Sequence, residues 1–159
     1  MTDRQDDDVL ATARASMGRR GVGLVSMVAL GVMLIYIAFF NQPTLVWQIF
    51  LLVVGAGAIW MADRMRRATA SAVVLTKTEL RDLDGTVIAR IEDIEHIDRG
   101  FFAFKPSNGF LLKTRSPAER VWRPGLWWRV GRRIGVGGMT PGHQSKIMSE
   151  IIAAMIATR

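Results

Sequence analysis

Hydrophobic and polar positions divide this chain into regions of different character. From Gly21 to Ala62 there are 42 residues without one Asp, Glu, Lys or Arg, and all 35 charged residues lie outside that block. The polar set Asn41-Gln42-Pro43-Thr44 splits it into runs of 20 residues (21–40) and 18 residues (45–62). At roughly 1.5 Å per residue each run reaches about 27–30 Å as a helix, the thickness of a hydrocarbon core. Asn-Gln-Pro is turn chemistry, and Pro43 is suited to the start of the second helix, where its missing N–H is no loss. The pattern predicts a transmembrane helical hairpin. A cleaved signal peptide fits less well, because the first run is long, follows an acidic leader and lacks a small-x-small site.

Polar segments flank the block. Residues 1–20 carry four acids and four arginines without apolar periodicity and read as a mobile tail. Residues 63–71 form a basic linker, and 72–159 a domain. In that domain Val73-Val74-Leu75 is a short β-branched run, and Asp84-Gly85 is a hairpin turn between Glu79–Leu83 and Thr86–Ile91. Short strands are expected over Ile94–Arg99, Phe101–Lys105 and Phe110–Thr114, while Arg115–Arg123 fits a strand poorly. Trp127–Val130 and Arg132–Val136 read as two strands or one bent strand. Then the period changes: Ile147, Met148, Ile151, Ile152, Met155 and Ile156 recur on one helical face, opposite Gln144, Lys146, Ser149 and Glu150. Thr140 is the expected cap, with Pro141 in the first turn. The fold class is thus a helical hairpin of two transmembrane helices plus an α+β domain, a small antiparallel β-sheet or barrel closed by one C-terminal amphipathic helix.

Certain residues carry a family likeness: Leu75-Thr76 with Leu80, then Gly85-Thr86-Val87-Ile88-Ala89, then Ile91-Glu92-Asp93-Ile94. Short strands in this order, an I-x-D-I turn that starts the next strand, and one final helix resemble a bacterial pleckstrin-homology-like (PH-like) domain attached to membrane spans. The resemblance covers residues 72–157. It implies a bacterial inner-membrane protein whose domain is an interaction scaffold, and it carries over no catalytic residue.

Charge refines the picture. Arg14, Arg19 and Arg20 precede the first run, Arg64, Arg66 and Arg67 follow the second, and the turn is uncharged. Both termini are therefore expected in the cytoplasm. Neither run holds an ionisable group, which argues against an ion or proton path within the hairpin. Gly55, Ala56, Gly57 and Ala58 would admit a closely packed helix, from the same hairpin or from a partner.

Between Arg99 and Arg133 nine basic residues face one acid, a local net of +8. Arg120, Trp122, Arg123, Trp127, Trp128, Arg129, Arg132 and Arg133 interleave cations with indoles. That composition suits anionic lipid headgroups, where each cation contributes about 1 kcal/mol, or a protein partner. It equally suits a solvated arginine face over core tryptophans; nucleic acid is the least expected partner.

Gly131, Gly135, Gly137 and Gly138 lack the spacing of a P-loop or dinucleotide fingerprint and read as a bend before the helix, with a headgroup phosphate at its start as the other reading. Glu92, Asp93, Glu95, His96 and Asp98, with His143, lack metal-ligand or nucleophile spacing and read as a polar sheet edge. Without cysteine, thiolate catalysis and Cys-ligated metals are excluded. The expected protein is a non-enzymatic accessory or scaffold subunit of a larger inner-membrane complex, needing no metal or cofactor. An anionic-lipid-binding surface module and a membrane-anchored enzyme are the alternatives.

Overall fold

The computed structural model describes residues 9–98 and 106–158. The chain divides into two units, residues 17–67 and the segments flanking them.

The first unit is the helical hairpin, α1 (Met17–Phe40) and α2 (Leu45–Ala68). Both helices are long and apolar enough to cross a membrane, with mean hydropathies of 2.5 and 2.1. Only 11% of each apolar window is buried, unlike a soluble core helix. The helices extend past the apolar runs at the basic ends: Arg19 and Arg20 lie in α1, and residues 63–68, expected as linker, form the last turns of α2. There Asp63 pairs with Arg66 at 3.0 Å and also with Arg67, and Arg20 donates to the Arg66 carbonyl at 3.2 Å. At the other end Gln42 adopts a positive φ of 44° and turns the chain, so Pro43 stays two residues outside α2. Gln48, a polar side chain in an apolar helix, donates its amide to the Ala38 carbonyl at 3.1 Å.

The small residues of α2 divide by face. Gly31 and Gly55 mark the close approach: a Cβ on Gly55 would stand 2.9 Å from both the Gly31 carbonyl oxygen and Ile35 Cγ1, whereas one on Gly57 meets nothing within 4 Å. Gly55 therefore serves packing within the hairpin, and Ala56 and Gly57 face outward.

Among the described residues the second unit has seven strands and one α-helix. One antiparallel sheet has the order β1 (Val9–Arg14), β2 (Ala72–Thr76), β3 (Glu79–Asp82), β4 (Val87–Arg90). A second has the order β5 (Ile94–Asp98), β6 (Phe110–Arg123), β7 (Trp127–Val136). These are two sheets, neither closed into a barrel, rather than the single sheet or barrel expected. A 3-10 turn over Ile91–Asp93 connects them and starts β5, as the I-x-D-I motif implied. The strand expected over 101–105 lies outside the described residues.

The N-terminal segment departs most from expectation. Residues 9–14 are a strand rather than a tail: β1 runs antiparallel to β2, with Arg14 opposite Ala72 and Val9 opposite Thr76. Ala13 is fully buried in the core beside Leu75, Leu80, Ile94, Leu112, Ile134, Met148 and Ile152. β6 likewise runs through Arg115–Arg123, because irregularities in its pairing with β7 absorb Pro117 and its neighbours. β7 is one strand interrupted at Gly131, whose φ of 59° suits glycine.

The last helix, α3 (Gly142–Ala157), starts later than expected. Pro141 occupies the cap position in extended conformation, and the buried Thr140 hydroxyl bonds Ser145 Oγ at 3.0 Å instead of capping. Met148 and Ile152 are buried, and Ile151, Met155 and Ile156 pack against the core, but Ile147 remains 51% exposed.

Gly55→Val should force the helix crossing apart and lower the thermal unfolding midpoint of the detergent-solubilised protein, a cost of about 1–3 kcal/mol for overpacking. Gly57→Val should leave the midpoint unchanged.

Candidate functional site

The β6–β7 hairpin carries the arginine–tryptophan segment, and its register sorts those residues into structural and outward-facing groups. Trp122 lies opposite Trp128, Val121 opposite Arg129 and Arg123 opposite Trp127. Side chains alternate between faces along each strand, so neighbours of the same type have different roles.

Trp127 is a core residue, 1% exposed. Its indole N–H donates to Asp82 Oδ2 at 2.8 Å. Asp82 is itself buried on β3, on the same face as Leu80. A carboxylate removed from water needs several partners. Asp82 also accepts from the Ser71 hydroxyl and has the Arg123 guanidinium at 4.0 Å. Ser71 reaches Asp84 as well, at 2.9 Å, and Arg123 Nη2 meets Asp84 Oδ2 at 2.6 Å. Desolvation pulls the Asp84 carboxyl upward, but hydrogen bonding with Ser71 and Asp82 and the charge of Arg123 outweigh it and hold it below the ordinary carboxylate range. This network joins the segment preceding β2, the β3–β4 turn and the end of β6.

Two other arginines are also committed to the fold. Arg129 donates to the carbonyls of Val87 at 3.0 Å, Ile88 at 2.9 Å and Glu119 at 2.8 Å, linking β7 to the edge strand β4. Arg132 donates to the Thr114 carbonyl at 3.0 Å and stands 3.6 Å from Glu95. Trp128 lies half-buried over Gly135, where a Cβ would meet its indole at 2.4 Å. Arg120, Trp122 and Arg133 point outward, and neither Arg120 nor Arg133 forms an ion pair among the described residues. Four of the eight, Arg123, Trp127, Arg129 and Arg132, thus spend polar groups on bonds within the domain.

The remaining candidates are spread along the domain. Glu95 is held below its ordinary range by its hydrogen bond with Lys113, which outweighs desolvation and is reinforced by the charges of Lys113, His96 and Arg132. Asp93 accepts the Ser116 N–H at 3.1 Å, and Glu92 is 3.6 Å from Arg90. His96 is exposed on β5 and His143 on the first turn of α3. No group of three or more His, Asp or Glu side chains is placed to hold a metal among the described residues. Of the glycines, 137 and 138 make the bend before α3 with φ of 137° and 117°, while Gly131 and Gly135 belong to β7.

No protein-family model, curated protein or solved structure matches the chain.

In the sequence Asp84 stands out only as a turn residue, and Asp82 and Ser71 do not stand out at all. The available signal was small: the alternation in Glu79-Leu80-Arg81-Asp82 puts an acid on the inward face. Asp82→Ala should lower stability by about 1–3 kcal/mol in chemical denaturation, since it orphans the buried Trp127 N–H and leaves Ser71 and Arg123 with Asp84 alone. Glu79→Ala, at a part-exposed position of the same strand, should change it by about 0.5 kcal/mol or less.

Proposed function

We propose that this chain is a two-span protein of a bacterial inner membrane, with both termini in the cytoplasm. Its PH-like domain acts without catalysis as an accessory or scaffold subunit of a larger membrane complex. The observation that carries this reading is the pairing of β1 with β2: the two segments flanking the hairpin belong to one sheet. An even number of crossings is what such pairing requires. The arginines at the sheet-side ends of α1 and α2, against the uncharged turn at 41–44, favour the cytoplasmic side for that sheet. Four strands, then three, then one C-terminal helix support the PH-like reading of the domain.

A scaffold role fits the side-chain chemistry. Asp82, Asp84, Asp93 and Glu95 are engaged in packing bonds within the domain. Outside the hairpin, the exposed large apolar side chains Leu10, Leu83, Val87, Trp122, Val130 and Ile147 offer contact area. An anionic-lipid surface is the second reading, favoured by the exposed indole of Trp122.

The test is affinity purification of the full chain from native membranes in mild detergent, with stoichiometry read by mass spectrometry. A fixed-ratio membrane partner that survives moderate salt is the expected result. Recovery of the chain alone from well-expressing membranes would contradict a stable-subunit role.

A further inference from the structure

Two carboxyls meet at the Ser71 hydroxyl. Ser71 Oγ bonds Asp82 Oδ1 and stands 2.9 Å from Asp84 Oδ1. A hydroxyl has one proton to donate, so it cannot serve two carboxylate oxygens at once. The outer oxygens are already acceptors: Asp82 Oδ2 takes the Trp127 N–H at 2.8 Å, and Asp84 Oδ2 takes Arg123 Nη2 at 2.6 Å. With both acids ionised, one of the two contacts at Ser71 is a lone pair facing a lone pair. One additional proton on the carboxyls turns both contacts into hydrogen bonds.

Charge leads to the same count. The cation at the pair is Arg123, 2.6 Å from Asp84 and 4.0 Å from Asp82. Trp127 on β7, Val73 opposite Asp82 on β2, and Ser71 itself are neutral. Two ionised carboxyls would leave one negative charge unmatched, where the Asp82 side chain is fully buried and that of Asp84 is 42% exposed. Burial and a like charge at short range both disfavour ionisation of a second carboxyl. Against desolvation, Asp84 is held below its ordinary range by hydrogen bonds with Ser71 and Asp82 and by the charge of Arg123, so the two carboxyls are themselves partners. Carboxyl groups bond each other only through a proton.

We propose that Asp82 and Asp84 share one proton across the Ser71 hydroxyl at neutral pH, which makes this corner of the fold a proton-operated tie. With the proton in place the pair carries one negative charge, matched by Arg123, and the segment before β2 is bonded to the β3–β4 turn. When alkali draws the proton into solvent, two negative charges face one guanidinium and Ser71 keeps only one of its two bonds. The folded pair holds a proton that unfolded carboxyls, titrating near about pH 4, have released, so the tie weakens as pH rises above that range. Asp84 acts in the opposite sense and only at the acid end, as pH falls below about 4.

The full chain in a maltoside detergent, which has no carbonyl group, is tested by infrared spectroscopy near neutral pH, with carboxyl-labelled aspartate identifying the bands. The expected result is a protonated-carboxyl C=O band that shifts with the label and is absent from Asp82→Asn. That amide keeps a donor for Ser71 and an acceptor for Trp127, and leaves Asp84 to ionise beside Arg123. In chemical denaturation above the ordinary carboxylate range, the folding constant of the parent should fall with pH more steeply than that of Asp82→Asn, by up to about tenfold per unit. Absence of the band, its persistence in Asp82→Asn, or equal pH profiles for the two chains overturns the proposal. If Asp82→Asn does not fold, Ser71→Ala decides in its place: removing the bridging hydroxyl should move the band, and a band left unmoved overturns the shared proton.

Discussion

The pairing of β1 with β2 is the constraint on which the rest of the architecture depends. The chain leaves the sheet after Arg14, passes through both helices and returns as the neighbouring strand at Ala72. Closing a connection of that length would ordinarily cost loop entropy, although the cost grows only logarithmically with length. Here the helical hairpin reduces it, because antiparallel helices in contact at Gly31 and Gly55 already return the chain toward its starting side. The strand pair then fixes more than itself. It buries Ala13 in the core, lets the Arg14 N–H bond Gln144 Oε1 on α3 at 3.0 Å, and positions Ser16 to bond the Met139 carbonyl at 2.8 Å.

Asp82 acts at the same end of the sheet. A buried carboxylate is costly alone and specific when satisfied, since its partners must arrive in fixed geometry. Its partners come from the segment after α2 (Ser71), the start of β7 (Trp127) and the end of β6 (Arg123). The β3–β4 and β6–β7 turns are consequently held at the end of the sheet where Arg14 lies opposite Ala72. Arg129 adds a cross-sheet tie by donating to two β4 carbonyls, satisfying acceptors that an edge strand would otherwise leave open.

Much of this was legible in the sequence. The charge-free block announced the helices, Asp84-Gly85 the β3–β4 turn, and the Met148/Ile152 spacing the buried face of α3. β1 is not legible because its core-facing residues are Ala11 and Ala13, too small for a clear alternating signal beside an acidic leader. The extension of β6 was hidden by Pro117 and a run of charged residues, and its pairing depends on irregularities that only a partner strand defines. In the arginine–tryptophan segment, composition identified an unusual stretch but could not separate Trp122 from Trp127. Their roles diverge through strand register and the single acid at position 82. Thr140 looked like a cap, yet the partner that claims its hydroxyl is Ser145, five residues on.

Hydrogen exchange on the full-length protein in nanodiscs, read by mass spectrometry, addresses the β1–β2 constraint most directly. The expected result is slow exchange of the ladder amides of residues 9–14, at rates comparable with those of 72–76. Complete exchange of 9–14 at the earliest time point, with 72–76 still protected, would contradict it.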